Sequence, residues 1–130
     1  MIIDTDVLIW DLRGNTAART TIAANLPFTI STVTYIELLQ GMRNKQELKA
    51  LQRQLRRWSV TILQITPDIS GRAMFYVEEY CLSHTMQLAD ALIAASAVEQ
   101  NETLLTANSR HYRHLPELVL AEFRPDRAGE

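Results

Sequence analysis

Between Gln87 and Gln100 the chain carries a single carboxylate, Asp90, before its closing Glu99, in a segment otherwise nearly apolar on every face. A helix of that kind is stable only when it is covered all round. An acid held inside it needs a partner. The segment therefore reads as a buried helix, and Asp90 is the acid in it that is hardest to explain by structure alone.

The rest of the chain supplies the layers to cover it. Met1 to Asp4 begins as a very short apolar strand, and Val7, Leu8 and Trp10 predict a helix ending near Gly14. Thr16 to Ala24 predicts a second short helix, closed by Asn25 and Pro27. Phe28 to Ile30 is a short β-rich run. Thr32 to Gly41 has helical apolar spacing and stops at a glycine. Val60 to Ile65 is β-branched and apolar, and Thr66-Pro67 signals a helix start. Ile69, Ala73, Tyr76, Val77 and Tyr80 continue that helix. Thr103 to Leu105 is a strand, Ser109 to His114 a helical turn, and Glu117 to Ala121 a last strand. The tail from Arg124 is polar and expected to fray. Strands alternating with helices predict an α/β domain over 1–130, with a parallel sheet covered on both faces.

Composition excludes several classes. At 130 residues, with 47% hydrophobic and 22% charged residues, the chain is globular and has no need of staples. One cysteine, Cys81, allows no internal disulfide and suits a reducing compartment. No apolar run approaches the roughly 20 residues of a membrane span. The first ten residues hold two acids and no base, unlike a leader, so the expected setting is cytoplasmic. No glycine-rich phosphate loop is present. A phosphoryl-accepting signalling domain would want a lysine after a late strand, and none follows Lys49.

Net charge is −2, which excludes nucleic-acid binding through bulk positive charge. The charge is uneven, however. Arg43, Lys45, Lys49, Arg53, Arg56 and Arg57 stand against Glu47 alone. Leu48, Leu51, Leu55 and Trp58 form a separate apolar stripe, so this stretch reads as an amphipathic helix with a basic outer face. That face is either a solvated surface or a phosphate-contacting rim.

In parallel α/β sheets, ligands bind beyond the carboxyl ends of the strands. Asp4 follows the first strand, Glu37 lies early in the helix after the second, and Asn108 follows the Thr103 strand. Asp90 opens the buried helix. Each has a structural alternative: Asp4 as a helix cap, Glu37 completing a capping box with Thr34, Asp90 favouring a helix N-terminus, and Asn108 as a turn residue. Gathered together, the carboxylates would repel by about 4 kcal/mol per pair at ~4 Å and an effective dielectric of ~20. A hard cation such as Mg²⁺ or Mn²⁺ relieves that repulsion and supports phosphodiester hydrolysis.

Four blocks carry a resemblance: Ile2-Ile3-Asp4-Thr5-Asp6-Val7-Leu8-Ile9, Ser31-Thr32-Val33-Thr34-Tyr35-Ile36-Glu37-Leu38-Leu39-Gln40-Gly41, Leu88-Ala89-Asp90-Ala91-Leu92-Ile93-Ala94-Ala95, and Leu104-Leu105-Thr106-Ala107-Asn108-Ser109-Arg110-His111-Tyr112. In that order, across essentially the whole chain, they resemble PIN-domain ribonucleases, and most closely the VapC-like toxins of toxin–antitoxin pairs.

The resemblance implies a three-layer PIN-like fold with a central parallel sheet of four to five strands. It implies a Mg²⁺- or Mn²⁺-dependent endoribonuclease neutralised by a cognate antitoxin, and a homodimer. Its core acids would be Asp4, Glu37 and Asp90, with Asp4 and Asp90 holding the metal and Glu37 binding it directly or through water. Asn108 stands where relatives often have Asp, and Asp6 where they often have Asn, so Asp6 restores part of the missing charge. Thr5 and Thr106 are possible supporting hydroxyls, while His111 reads as a partly exposed structural residue. Lys49, Arg53, Arg56, Arg110 and Arg113 would guide the RNA backbone. The alternative is a PIN-like module that binds RNA or antitoxin without cutting. Trp10, Met42, Trp58 and Tyr80 are candidates for exposed contacts.

Overall fold

The structure is a computed structural model and describes residues 1–126. The elements run β1 (Ile2–Ile3), α1 (Thr5–Leu12), α2 (Thr16–Ala24), β2 (Thr29–Ser31), α3 (Thr32–Gln40), α4 (Lys45–Arg57), β3 (Thr61–Leu63), α5 (Pro67–His84), α6 (Leu88–Glu99), β4 (Leu104–Thr106), a 3₁₀ turn over Ser109–His111, and β5 (Leu120–Glu122). The strands form one parallel sheet in the order β3-β2-β1-β4-β5. The chain thus builds outward from β1 on one side and then restarts from β1 on the other. The strand order switches between β1 and β4, where such sheets open a crevice at their carboxyl ends.

Local sequence explains most boundaries. Asn15 caps α2 by accepting from Ala18 N at 3.0 Å, and Asn44 caps α4 by accepting from Glu47 N at 2.9 Å. Thr66 caps α5 ahead of Pro67, as its sequence predicts. The apolar stripe of α4 is real, with Leu51 and Leu55 buried and Lys45, Lys49, Arg53, Arg56 and Arg57 exposed.

The pleat of β1 divides the core. Ile2 faces a cluster with Ile69, Ala73, Ile93 and Leu104, under α5 and α6. Ile3 faces Val7, Ile22, Ile30, Leu51 and Leu55, under α1, α2 and α4. The central strand is therefore covered on both faces, as an all-apolar parallel strand must be.

Several expectations shift. The first helix begins at Thr5 rather than Val7, because Asp4 is already its cap. The last strand begins only at Leu120. The helical turn after β4 is one 3₁₀ turn ending at His111. Residues 124–126 fall in the expected frayed tail, yet Asp126 accepts from Ala17 N at 3.1 Å. The rest of that tail lies outside the described residues. Trp10, Met42, Trp58 and Tyr80 are partly buried and pack against the two clusters.

Candidate active site

Because β1 and β4 are neighbours, the residues just beyond them meet. Asp4 is buried, and its carboxylate accepts from Thr5 N at 2.8 Å, from Thr106 Oγ1 at 2.8 Å and from the Tyr112 hydroxyl at 3.0 Å. The same Tyr112 oxygen lies 3.3 Å from Asp90 Oδ1. Asp4 and Asp90 are therefore no more than two hydrogen-bond lengths apart, and one hydroxyl proton serves only one of them at a time. Asp90 reaches this point from the first turn of α6, in agreement with an acid that needs a partner.

Glu37 arrives from α3. Its Oε1 accepts from Thr5 Oγ1 at 2.7 Å, and Thr34 Oγ1 lies 2.9 Å from the same threonine oxygen. The capping-box alternative for Glu37 is excluded by geometry. The cap of α3 is Ser31, which accepts from Val33 N, and Thr34 is buried within the helix. The box pattern misleads because the helix starts directly at the end of β2, ahead of Thr34. Asp4 does cap its helix, and does so with the oxygen that does not face Tyr112.

Asp6 is a full member of the cluster. It accepts from Asn108 Nδ2 at 2.7 Å and from Ala107 N at 3.2 Å. Asn108 is exposed, and its amide neutralises nothing; it orients Asp6. Its own N–H donates to Thr106 Oγ1 at 3.0 Å, so Thr106 is a junction among Asp4, Asp6 and the turn.

Tyr112 and Thr34 are the residues that sequence reasoning missed. Tyr112 is fully buried, and its aromatic body reads as core. The available signal was its hydroxyl, since a buried tyrosine needs a hydrogen-bond partner.

Electrostatics follow from this packing. Burial, with Asp6 close by, raises the Asp4 carboxyl from 3.8 to about 7. Burial likewise raises Asp6. Burial and the surrounding carboxylates push Tyr112 upward, so it stays a neutral donor. Among the described residues, no lysine or arginine pairs with Asp4, Asp6, Glu37 or Asp90. The nearest cationic candidate is His111, whose Nδ1 stands 3.6 Å from Asp90 Oδ2, beyond hydrogen-bond range. His111 is about half exposed and borders the site rather than the core.

The donor set is hard oxygen throughout: carboxylates, two threonine hydroxyls and an amide. That chemistry suits Mg²⁺ or Mn²⁺. Among the described residues, no group of three or more His, Cys, Asp or Glu side chains is placed to hold a metal ion together. Mg²⁺ does not require such a group, because it usually keeps several waters and takes one or two carboxylates.

A groove of about 700 Å³ runs past Glu37 between α1, α3 and α4, lined by Ile9, Leu12, Leu38, Met42 and Leu51. Arg13, Arg19 and Arg43 also line it, and Arg43 pairs with Glu47 at 2.8 Å. Among the described residues, Lys49, Arg53, Arg56, Arg110 and Arg113 make no side-chain ion pair, and all are exposed. Arg110 and Arg113 flank Tyr112 in sequence; the α4 cations stand on a separate element.

The PIN domain family model matches residues 1–123. This chain belongs to the PIN-domain family. The PIN domain is 37% identical over 116 residues to ribonuclease VapC10 of Mycobacterium tuberculosis, covering 86% of this chain and 85% of that protein. It is 33% identical over 122 residues to ribonuclease VapC19 of the same organism, covering 90% and 95%. Among solved structures it resembles a toxin–antitoxin complex from Klebsiella pneumoniae, with a TM-score of 0.77, 25% identity, and coverage of 91% and 94%. The expected PIN-like three-layer fold is the fold observed.

Proposed function

We propose that this PIN domain is an endoribonuclease that hydrolyses RNA phosphodiesters with Mg²⁺ or Mn²⁺, and that it is the toxin of a toxin–antitoxin pair. One observation carries the chemistry. Asp4 shares the Tyr112 hydroxyl with Asp90 and the Thr106 hydroxyl with Asp6, Glu37 accepts from Thr5 beside Asp4, and among the described residues none of the four acids pairs with a lysine or arginine. A protein that gathers carboxylates this way keeps them for a cation. The VapC relatives, both named ribonucleases, support the same reading.

Asp4 and Asp90 would hold the ion, with Glu37 bound directly or through water. When bound, the ion would polarise a phosphoryl oxygen and acidify water. The protein's own residues do the rest. Thr5 fixes Glu37 at an oxygen that can take a proton from an attacking water. Asn108 and Ala107 hold Asp6, and Thr106 holds Asp4. Arg110 and Arg113, with the outer face of α4, would lead the RNA backbone to an otherwise anionic crevice.

The antitoxin part of the proposal rests on the named toxin–antitoxin complex and on the apolar groove beside Glu37. A segment lying there would cover the approach to that acid. Self-association is supported by Met74, Phe75, Leu82 and Leu88, which are exposed on α5 and at the start of α6. Among the described residues, no helix is long and apolar enough to cross a membrane. A cytoplasmic setting suits the free Cys81.

The deciding experiment is cleavage of a mixed RNA pool with Mn²⁺, Mg²⁺ or EDTA, using Asp4→Asn as the control. Cleavage that needs metal and disappears in Asp4→Asn supports the nuclease. RNA or antitoxin binding without metal-dependent cleavage identifies the non-cutting module instead.

A further inference from the structure

Thr85, Met86 and Gln87 join α5 to α6. Beside this join lies a cavity of about 190 Å³ lined by His84, Thr85, Met86, Gln87, Asp90 and His111. It shares Asp90 with the acidic cluster, yet its other walls are of a different kind.

His84, which lines this cavity, is held from behind by two further rings. The rings of His84 and His114 lie 4.1 Å apart between centroids and are tilted by only 14°. Tyr80 stands edge-on to both, at 5.6 and 4.7 Å. Ser83 Oγ lies 2.7 Å from His84 Nδ1. His84 is thus braced by a ring, an edge and a hydrogen bond, and it nevertheless remains exposed. Burial and the neighbouring His84 lower His114 from its ordinary imidazole value. His114 takes one face of the His84 ring, which leaves the opposite face and the ring edge for a planar group entering beside it. Gln87 adds a polar edge. It is the cap residue of α6, but its side chain makes no capping bond, which leaves an amide with both donor and acceptor capacity.

We infer that this cavity receives one unpaired nucleobase of the RNA, stacked on His84 with its edge read by Gln87, while the adjoining phosphodiester sits at the acids. The inference rests on the ribonuclease reading above and extends it to how the strand is gripped. A phosphate is the poorer occupant, because among the described residues no lysine or arginine lines the cavity. A base suits an aromatic face and an amide, and unpaired RNA presents its bases splayed and ready to stack.

The test uses a short fluorescent single-stranded RNA and anisotropy in Mg²⁺, in an Asp4→Asn background that prevents cutting. Each nucleotide is replaced in turn by an abasic one. One position should weaken binding about tenfold, the scale of a single base–aromatic stack. In His84→Ala the RNA should bind about tenfold more weakly and that position should fall silent, while His84→Phe restores its effect. Gln87→Ala should keep the abasic penalty and lose the preference among bases there. Abasic penalties that persist unchanged in His84→Ala overturn the inference, as does an absence of RNA binding. If His84→Ala does not fold, the Phe and Gln87 variants decide alone: no abasic-sensitive position in His84→Phe, or an unchanged base preference in Gln87→Ala, overturns it. Cleavage by the unaltered protein in Mn²⁺ is scored separately. Cleavage without coupling at His84 removes the pocket and leaves the nuclease; coupling without cleavage does the reverse.

Discussion

Asp4 accepts three hydrogen bonds and still resists ionisation, because donors do not replace the water and counter-charge that burial removes. Tyr112 is the donor easiest to delete cleanly. Tyr112→Phe should fold, since the ring fills the same core space, but it leaves a buried carboxylate short of a partner, at a cost of about 1–3 kcal/mol. Calorimetric titration should show weaker Mn²⁺ binding in this variant. The pH midpoint of cleavage should move upward, because Asp4 loses a bond that favours its charged form. An unchanged midpoint would make Tyr112 a core residue and nothing more. At Glu37 the expectation is sharper. Gln can still accept from Thr5, and no cap depends on it, so the melting temperature should hardly move. Cleavage should fall by at least ~10²-fold, the lower end of a positioned acid–base group. Full activity in Glu37→Gln would remove this acid from the reaction. The site also shows what a sequence exposes. Asp90 was legible because a lone acid near the start of an apolar helix conflicts with its surroundings. Tyr112 was not, because an aromatic ring in a core position conflicts with nothing; only the three-dimensional path of its hydroxyl reveals it.

At the scale of elements, the alternation of strand and helix was readable nearly throughout, since each strand is short, apolar and bounded by cap or turn residues. The edges were harder. β5 pairs only through Leu120 to Glu122, and its alternation is too brief to fix a register without knowing β4. Thr34 to Glu37 mimics a capping box because threonine at that spacing is ambiguous until the end of β2 is located. α4 was legible as amphipathic, but its role is a separate matter from its existence. Its outer cations make no ion pairs among the described residues and stand on a different element from the acids. Reversing Lys49, Arg53 and Arg56 to glutamate should therefore leave Mn²⁺ binding intact. RNA binding should weaken, and the slope of log affinity against log salt should flatten by roughly 0.7 for each phosphate no longer neutralised. A slope that does not change would assign this face to solvent or to a protein partner.

For the whole molecule, the buried carboxylates of the crevice are a source of instability in the metal-free protein. Between about 3.8 and 7 the folded Asp4 binds more protons than its unfolded counterpart. Stability of the metal-free protein should therefore be fullest at acid pH and decline as pH rises through that window. Mn²⁺ should reverse the trend by binding the ionised form, raising the melting temperature most at pH 8. Metal-free Asp4→Asn should melt at least ~3 °C higher than the parent at pH 8, since relief of about 1 kcal/mol shifts a domain of this size by a few degrees. A parent that is equally stable at pH 5 and pH 8 without metal would contradict the burial argument. The placement of Asp4 has one more consequence, in time rather than energy. Its two side-chain donors, Thr106 and Tyr112, come 102 and 108 residues later, and its strand is completed by hydrogen bonds to β4. A ribosome therefore makes the first acid long before the groups that position it. A product that ends before Tyr112 lacks one of the two side chains that hold Asp4, so the crevice is assembled only late in synthesis.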